Sequence, residues 1–287
     1  MILFDANKCV SCNSCIRACP TPEANKAVQT EDGRTVYNID PDKCIRCGAC
    51  VKDCSHGART YEDDTAGFWN DVKGGKQVVL LVAPSIKVAF DGCWRNVLEF
   101  LRSNGVKDIY DVSFGADICT WAHIRYLQKN PGKKLISQPC PAIVNYMLKY
   151  CKEALPNLSP VQSPILCAAI YLRKYLGVNA KLAALTPCIA KQDEFRMTGV
   201  VDYNVTFQHL GQLLEEKGFH LADQKGKRSA FEFSGPQGIM GAIYPRPGGL
   251  KACLELEAPS LNVISSEGTG HIYQELACLL YTSDAAD

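Results

Sequence analysis

Residues 9–20, CVSCNSCIRACP, space Cys9, Cys12, Cys15 and Cys19 as C-x2-C-x2-C-x3-C-P, and residues 44–54, CIRCGACVKDC, repeat the pattern with Cys44, Cys47, Cys50 and Cys54. A cube of iron and sulfide requires four soft thiolates, three from one tight loop and one from a separately anchored position. Paired C-x2-C units also build tetrahedral zinc sites. Two complete four-cysteine runs favour the iron–sulfur reading, and with it electron transfer. Pro20 closes the first run, whereas Ser55 and His56 follow the second.

Two more cysteines, Cys140 in ISQPCPA and Cys188 in LTPCIAK, stand at the ends of expected strands. The proline before each lacks an amide hydrogen and favours a sharp exit from a strand, and in open α/β sheets ligands bind where strands end. Taken alone, a cysteine of this kind is more often a buried structural thiol than a ligand. Cys93, Cys119, Cys151, Cys167 and Cys253 have no paired spacing and read as small buried hydrophobes. His56, His123, His209, His220 and His271 form neither H-E-x-x-H nor an i,i+4 pair, so no zinc or triad site is expected of them.

Val36 to Asp40 reads as a short strand leading into the second cysteine loop. After Tyr61 the polar stretch EDDTAGFWNDVKGGK reads as a linker, which divides the chain at 1–60, 61–76 and 77–277. Val78 to Ala83 is a continuous apolar run, as in strands buried on both faces of a parallel sheet. Trp94, Val97, Leu98 and Leu101 follow at helical spacing. Further strands are expected at 109–114, 134–137 and 181–186, and helices at 116–129, 142–155, 165–176 and near 207–217. This alternation gives an α/β fold class with parallel sheets flanked by helices, preceded by a small α+β module.

The 287 residues, 47% hydrophobic, can fill a sizeable core. Lys+Arg 31 balance Asp+Glu 30, with no basic block of the kind that binds nucleic acid or an anionic membrane surface. No run approaches the roughly 18 apolar residues of a membrane span, and thiols in metal-type runs point to a reduced, cytoplasmic setting.

At these residues the sequence resembles two families. The cysteine runs are similar to bacterial two-cluster ferredoxins, in which the fourth cysteine of each run serves the other cluster. That resemblance implies Cys9, Cys12, Cys15 and Cys54 for cluster 1, and Cys44, Cys47, Cys50 and Cys19 for cluster 2. Nearly the whole chain resembles the FeFe-hydrogenase family, whose catalytic domain holds a 4Fe-4S cube bridged to a diiron centre. Residues 136–165, ISQPCPAIVNYMLKYCKEALPNLSPVQSPI, and 185–195, LTPCIAKQDEF, resemble its first two motifs. They imply Cys140 and Cys188 as cube ligands and Lys191 as the residue that hydrogen-bonds a cyanide of the diiron site, a task that suits an ammonium as a point donor. Residues 115–122, GADICTWA, and 234–249, SGPQGIMGAIYPRPGG, also resemble family segments, the second as Gly-rich turns that let backbone approach the cofactor.

Two departures from the family shape the functional expectation. Pro139 stands where catalytic members carry a proton-relaying cysteine, and Ala122 and His123 stand near where they carry carboxylates. Proton transfer by a positioned group contributes roughly 10²- to 10⁴-fold to rate, so the chain resembles the family's sensory members more than its fast catalysts. The third motif, a Cys-x3-Cys, is absent, and residues 278–287, from Cys278 on, resemble translated adapter sequence. An artefactual tail on a truncated gene is expected, with the hydrogenase 4Fe-4S plus diiron cluster held only in the intact parent protein. The chain is therefore expected to pass electrons through two 4Fe-4S clusters to or from a hydrogen-sensing or low-activity hydrogenase-like domain. H2 would be its ligand and a ferredoxin or a signalling domain its redox partner. A catalytic ferredoxin-linked hydrogenase and a non-enzymatic electron carrier or iron–sulfur assembly protein are the alternatives.

Overall fold

The repeat in the cysteine runs is also a repeat of backbone shape. The computed structural model describes residues 1–266 and Leu276; the tail expected at 278–287 lies outside them. Ser11 and Arg46, each just before the second cysteine of its run, have φ of 57° and 58°, and Asn13 and Gly48, each just after it, have 62° and 81°. Left-handed backbone costs a non-glycine residue on the order of 1 kcal/mol or more. Ser11, Asn13 and Arg46 are the only non-glycine residues with positive φ among those described, so this strain is confined to the two cysteine loops. A short helix follows each loop, α1 (Ser14–Arg17) and α2 (Ala49–Lys52).

Two antiparallel ribbons frame this module: β1 (Ile2–Phe4) with β4 (Arg59–Tyr61), and β2 (Asn25–Gln29) with β3 (Thr35–Ile39). β3 matches the strand expected before the second loop. Its partner β2 is almost wholly exposed and carries no apolar alternation to reveal it.

The stretch expected as a linker contains a core helix, α3 (Thr65–Lys73), which buries Phe68, Trp69 and Val72. Then follow β5 (Val78–Val82), α4 (Ile86–Ala89), α5 (Trp94–Ser103), β6 (Val106–Asp111) and α6 (Val112–Lys129). The chain continues through α7 (Pro141–Tyr150), α8 (Pro164–Lys174), β7 (Lys181–Thr186), α9 (Lys191–Thr198), β8 (Tyr203–Thr206), α10 (Phe207–Glu216), α11 (Leu221–Gln224) and α12 (Gly249–Glu257). β6 ends three residues before the expected strand does, because Asp111 caps α6 by accepting from the Ser113 N–H at 2.8 Å. The strand expected at 134–137 is only an isolated parallel bridge, Ile136 with Leu158. The helix expected over 142–155 stops at Tyr150 and continues as 3₁₀ turns over Lys152–Asn157.

The four strands form a parallel sheet in the order β6-β5-β7-β8. Strand alternation divides β5 between two cores: Val78, Leu80 and Val82 pack with Phe68, Leu98, Leu101 and Leu210, while Val79 and Leu81 pack with Leu166, Ala169 and Leu172. Helices therefore cover both faces, as the apolar run predicts. From β6 the chain crosses to the other side of β5 to form β7, so the strand order reverses beside β5. Ligands gather at the carboxyl ends of strands near such a reversal, and Cys188 lies just past the end of β7.

Candidate metal centres

Cys9, Cys12, Cys15 and Cys54 line one cavity, together with Phe4, Tyr37 and Arg59. The loop is tied to the β2–β3 hairpin by Ser11 Oγ, which donates to the Thr35 carbonyl at 2.7 Å, and by Arg34 Nη1, which donates to the Cys9 carbonyl at 2.6 Å. Hydrogen bonds from Ser14, backbone and hydroxyl, hold the exposed Cys12 thiol below its ordinary pKa. Among the described residues no three His, Cys, Asp or Glu side chains converge where one metal ion could sit. The thiols instead surround a hollow, which fits a cube of several irons better than a lone zinc.

The chemistry of the cavity wall fits the same group. Arg59 is 2% exposed, and its Nε and Nη1 are buried without a hydrogen-bond partner. Unpaired buried donors are costly, and an anionic cluster held by four thiolates is the kind of acceptor they lack.

Cys19, Cys44, Cys47 and Cys50 form the second group. Desolvation raises the thiols of Cys44, Cys47 and Cys50, although the Cys47 residue itself remains exposed to solvent, and Cys19 adds to all three shifts. Cys50 is pushed up to about 12, opposed by the Arg59 charge. A bare thiolate is strongly disfavoured there, so the site accepts thiolate charge only when a cationic core shares it. The structure thus places Cys54 with the first run and Cys19 with the second.

The second loop is clamped onto the α/β domain. Arg46 Nη1 pairs with Asp193 Oδ1 at 2.6 Å, and Asn145 Nδ2 donates to Asp193 Oδ2 at 2.9 Å and to the Ile45 carbonyl at 3.3 Å. Lys149 Nζ donates to the carbonyls of Pro41 and Cys44, and Tyr150 Oη to that of Lys43. Ile45 is buried against Ala142 and Ala190. This docking brings Cys47 close enough to Cys140 for the Cys140 charge to raise its pKa, after burial and its own neighbours Cys19 and Cys44.

Cys140 occupies the N-cap position of α7 without a side-chain capping bond, and Cys188 lies in the turn between β7 and α9. That turn is fixed from inside: the Cys188 N–H donates to Thr186 Oγ1 at 3.1 Å, and Asn204 Nδ2 donates to the Cys188 carbonyl at 2.9 Å. Burial raises the Cys188 thiol, Cys140 raises it further, and Lys191 opposes both. Lys191 opens α9 with its side chain 8% exposed, and its Nζ pairs with Glu194 Oε2 at 2.7 Å. Cys140, Cys188 and Lys191 are therefore neighbours.

Several contributors had no sequence signal. Asp63 and Asp64, within the expected linker, hold the end of β8: Asp63 accepts from Thr206 and pairs with His209, and Asp64 accepts from the Asn204 N–H. Asp117 of α6 accepts from the N–H groups of Ile239 and Gly241. The close approach at Gly238 and Gly241 is to the Ser113 backbone, which a methyl at either position would overlap. Cys93, Cys119, Cys151, Cys167 and Cys253 are all buried. Cys119 is more than a small hydrophobe, because its Sγ lies 3.2 Å from Tyr244 Oη and 3.7 Å from His123 Nδ1.

Comparison with known proteins places these sites in context. The family model described as "Iron only hydrogenase large subunit, C-terminal domain" matches residues 76–269, and that described as "4Fe-4S dicluster domain" matches residues 1–55. A search of the curated proteins found no match. Among solved structures the chain is similar to an FeFe-hydrogenase studied for oxygen inactivation through modification and degradation of the H cluster 2Fe subcluster. That match has a TM-score of 0.50 and 22% identity, covering 68% of this chain and 57% of the other. It is similar also to an apo FeFe-hydrogenase of Chlamydomonas reinhardtii in a cysteine-to-histidine variant, with a TM-score of 0.50, 22% identity, and coverage of 68% and 58%. The chain thus spans less than two thirds of the length of either. Among the described residues no helix is long and apolar enough to cross a membrane.

Proposed function

The chain belongs to the iron-only hydrogenase large-subunit family, and from that premise we propose that it passes electrons between two 4Fe-4S clusters and a hydrogenase-like site. Cys9, Cys12, Cys15 and Cys54 hold the outer cluster, and Cys19, Cys44, Cys47 and Cys50 the inner one. Cys140 and Cys188 are ligands of the hydrogenase cube, with Lys191 as a donor beside it. When bound, the clusters supply one-electron transfer and the diiron part supplies chemistry with H2.

The observation that carries this reading is the clamped junction that docks the second cysteine loop on α7, the helix that begins after Cys140. Arg46, Asn145, Lys149 and Tyr150 hold the two ligand regions in register. Glu194 holds the Lys191 ammonium against the turn that carries Cys188. Pro139 has no side-chain proton to give or take, which supports a slow-reacting, hydrogen-sensing role over fast turnover. A ferredoxin or a signalling domain is the proposed redox partner.

Anaerobic reconstitution followed by iron counting and EPR tests the reading. The expected result is about eight irons in two four-iron clusters, reducible and magnetically coupled. Recovery of zinc in place of iron would overturn it, and fast hydrogen turnover by the full-length protein would overturn the sensing role.

A further inference from the structure

Arg59 stands buried against the first cysteine group of the N-terminal module. It lines the cavity of Cys9, Cys12, Cys15 and Cys54, and its Nη2 donates to Cys15 Sγ at 3.7 Å. Three neighbours fix its position. Nη2 also donates to the Tyr37 carbonyl, Asn25 Oδ1 lies 3.4 Å from Nη2, and the guanidinium lies 4.8 Å from the centre of the Phe4 ring, across the β1–β4 ribbon. A guanidinium 2% exposed with Nε and Nη1 unpartnered is an expensive group to bury for packing alone. Among the described residues no carboxylate is paired with it, and the sulfur it contacts directly is that of Cys15.

We infer that Arg59 is a positioning residue that sets the two clusters of the module at different potentials, raising the outer one more than the inner. This rests on the proposed ligation of both clusters. Reduction adds one negative charge to a cluster, and a fixed positive charge with N–H donors stabilises that added charge. The effect falls with distance and with the number of hydrogen bonds. Arg59 lines the cavity of the outer group and contacts Cys15 Sγ there, and among the described residues it makes no hydrogen bond to Cys19, Cys44, Cys47 or Cys50. Electrons arriving at the module should therefore rest on the outer cluster until the inner site draws them on. In the other half of the repeat, β2 opens on the uncharged Asn25 where β4 opens on Arg59.

The test is an EPR-monitored redox titration of the reconstituted full chain, with iron counted in every sample. The outer signal is identified by its change in Cys12→Ser. In Arg59→Gln the outer cluster's reduction constant should fall at least tenfold, 59 mV for a one-electron couple, and the inner constant should fall less. In Arg59→Lys, which keeps the charge and loses the fork, the outer constant should fall about threefold, an intermediate loss. Outer constants within twofold of wild type in the variants that retain about eight irons would overturn the assignment, as would equal shifts of both clusters. Loss of iron from both variants, with secondary structure intact, would overturn it too, since Arg59 would then hold the site without tuning it. Failure of the wild-type chain to bind two clusters would refute the ligation itself, a separate outcome read before any variant is made.

Discussion

The N-terminal module and the α/β domain are stabilised by different means. In the α/β domain, β5 is buried along its whole length and two apolar clusters cover the faces of its sheet. In residues 1–60 the buried apolar side chains are few and scattered, among them Ile2, Ala24, Val36, Ile45 and Ala58. Fully burying a Leu or Val contributes about 1.5–3 kcal/mol, and a chain this short with so little of it needs cross-links, as small metal-bound domains do. The sheet orders itself by excluding water, whereas on the proposed ligation the module is held by eight thiols gathered around iron, in loops that carry the strained backbone.

The sharpest way to break this comparison is to remove the iron. Oxidative chelation should unfold residues 1–60, seen as loss of hydrogen-exchange protection there, while the α/β domain keeps its protection. Trp69, Trp94 and Trp121 all lie in that domain, so tryptophan fluorescence should barely change. The next largest effect is expected in the opposite direction. Leu98→Ala empties a fully buried site and should cost about 2–5 kcal/mol in denaturant unfolding followed by tryptophan, with the iron content unchanged. Gly115→Ala is expected to cost less, about 1–3 kcal/mol. Its new methyl would overlap the Pro164 carbonyl and meet Ala168 Cβ at 2.8 Å, where α6 crosses α8.

The smallest predicted effect is pH-dependent and lies at the join of the two regions. Burial pushes the Asp63 carboxyl up, but hydrogen bonds from His209, Thr206 and the Thr65 N–H outweigh it and hold the pKa below its ordinary value. A depressed carboxyl contributes stability above its unfolded pKa of about 3.9 and loses it as pH falls through the folded value. Asp63→Asn should therefore be less stable than wild type near neutrality. The difference should shrink on acidification below about pH 4, measured by urea unfolding at each pH. A gap that stays constant with pH would show that the carboxylate's charge contributes nothing.

The same contrast governs what the sequence made legible. Ligand spacing in the module is local, so the eight cysteines and their repeat could be read directly, and apolar runs as long as Val78 to Val82 announce buried strands. α3 was hidden because Phe68, Trp69 and Val72 sit among Asp, Asn, Gly and Lys, whose composition reads as loop. β6 appeared to run through Phe114 because IYDVSF looks like one strand, and only the capping of Ser113 by Asp111 shows where the helix begins. The nearness of Cys47 to Cys140 depends on tertiary docking by Arg46, Asn145 and Lys149, which no spacing rule encodes. Arg59 was silent for a related reason. One arginine at the start of a three-residue strand carries no pattern, and its burial comes with contacts from three other strands, β1, β2 and β3, and from α1.

The clamp at the second loop also bears on kinetics. A carrier that must find its partner by diffusion is limited by encounter, and its rate varies with salt and viscosity. Here the donor side is bolted to the acceptor side through an ion pair, an asparagine bridge and a lysine gripping two carbonyls. On the proposed function, transfer between them is a first-order event at fixed separation, and the exposed Cys12 of the outer loop is where a partner would collide.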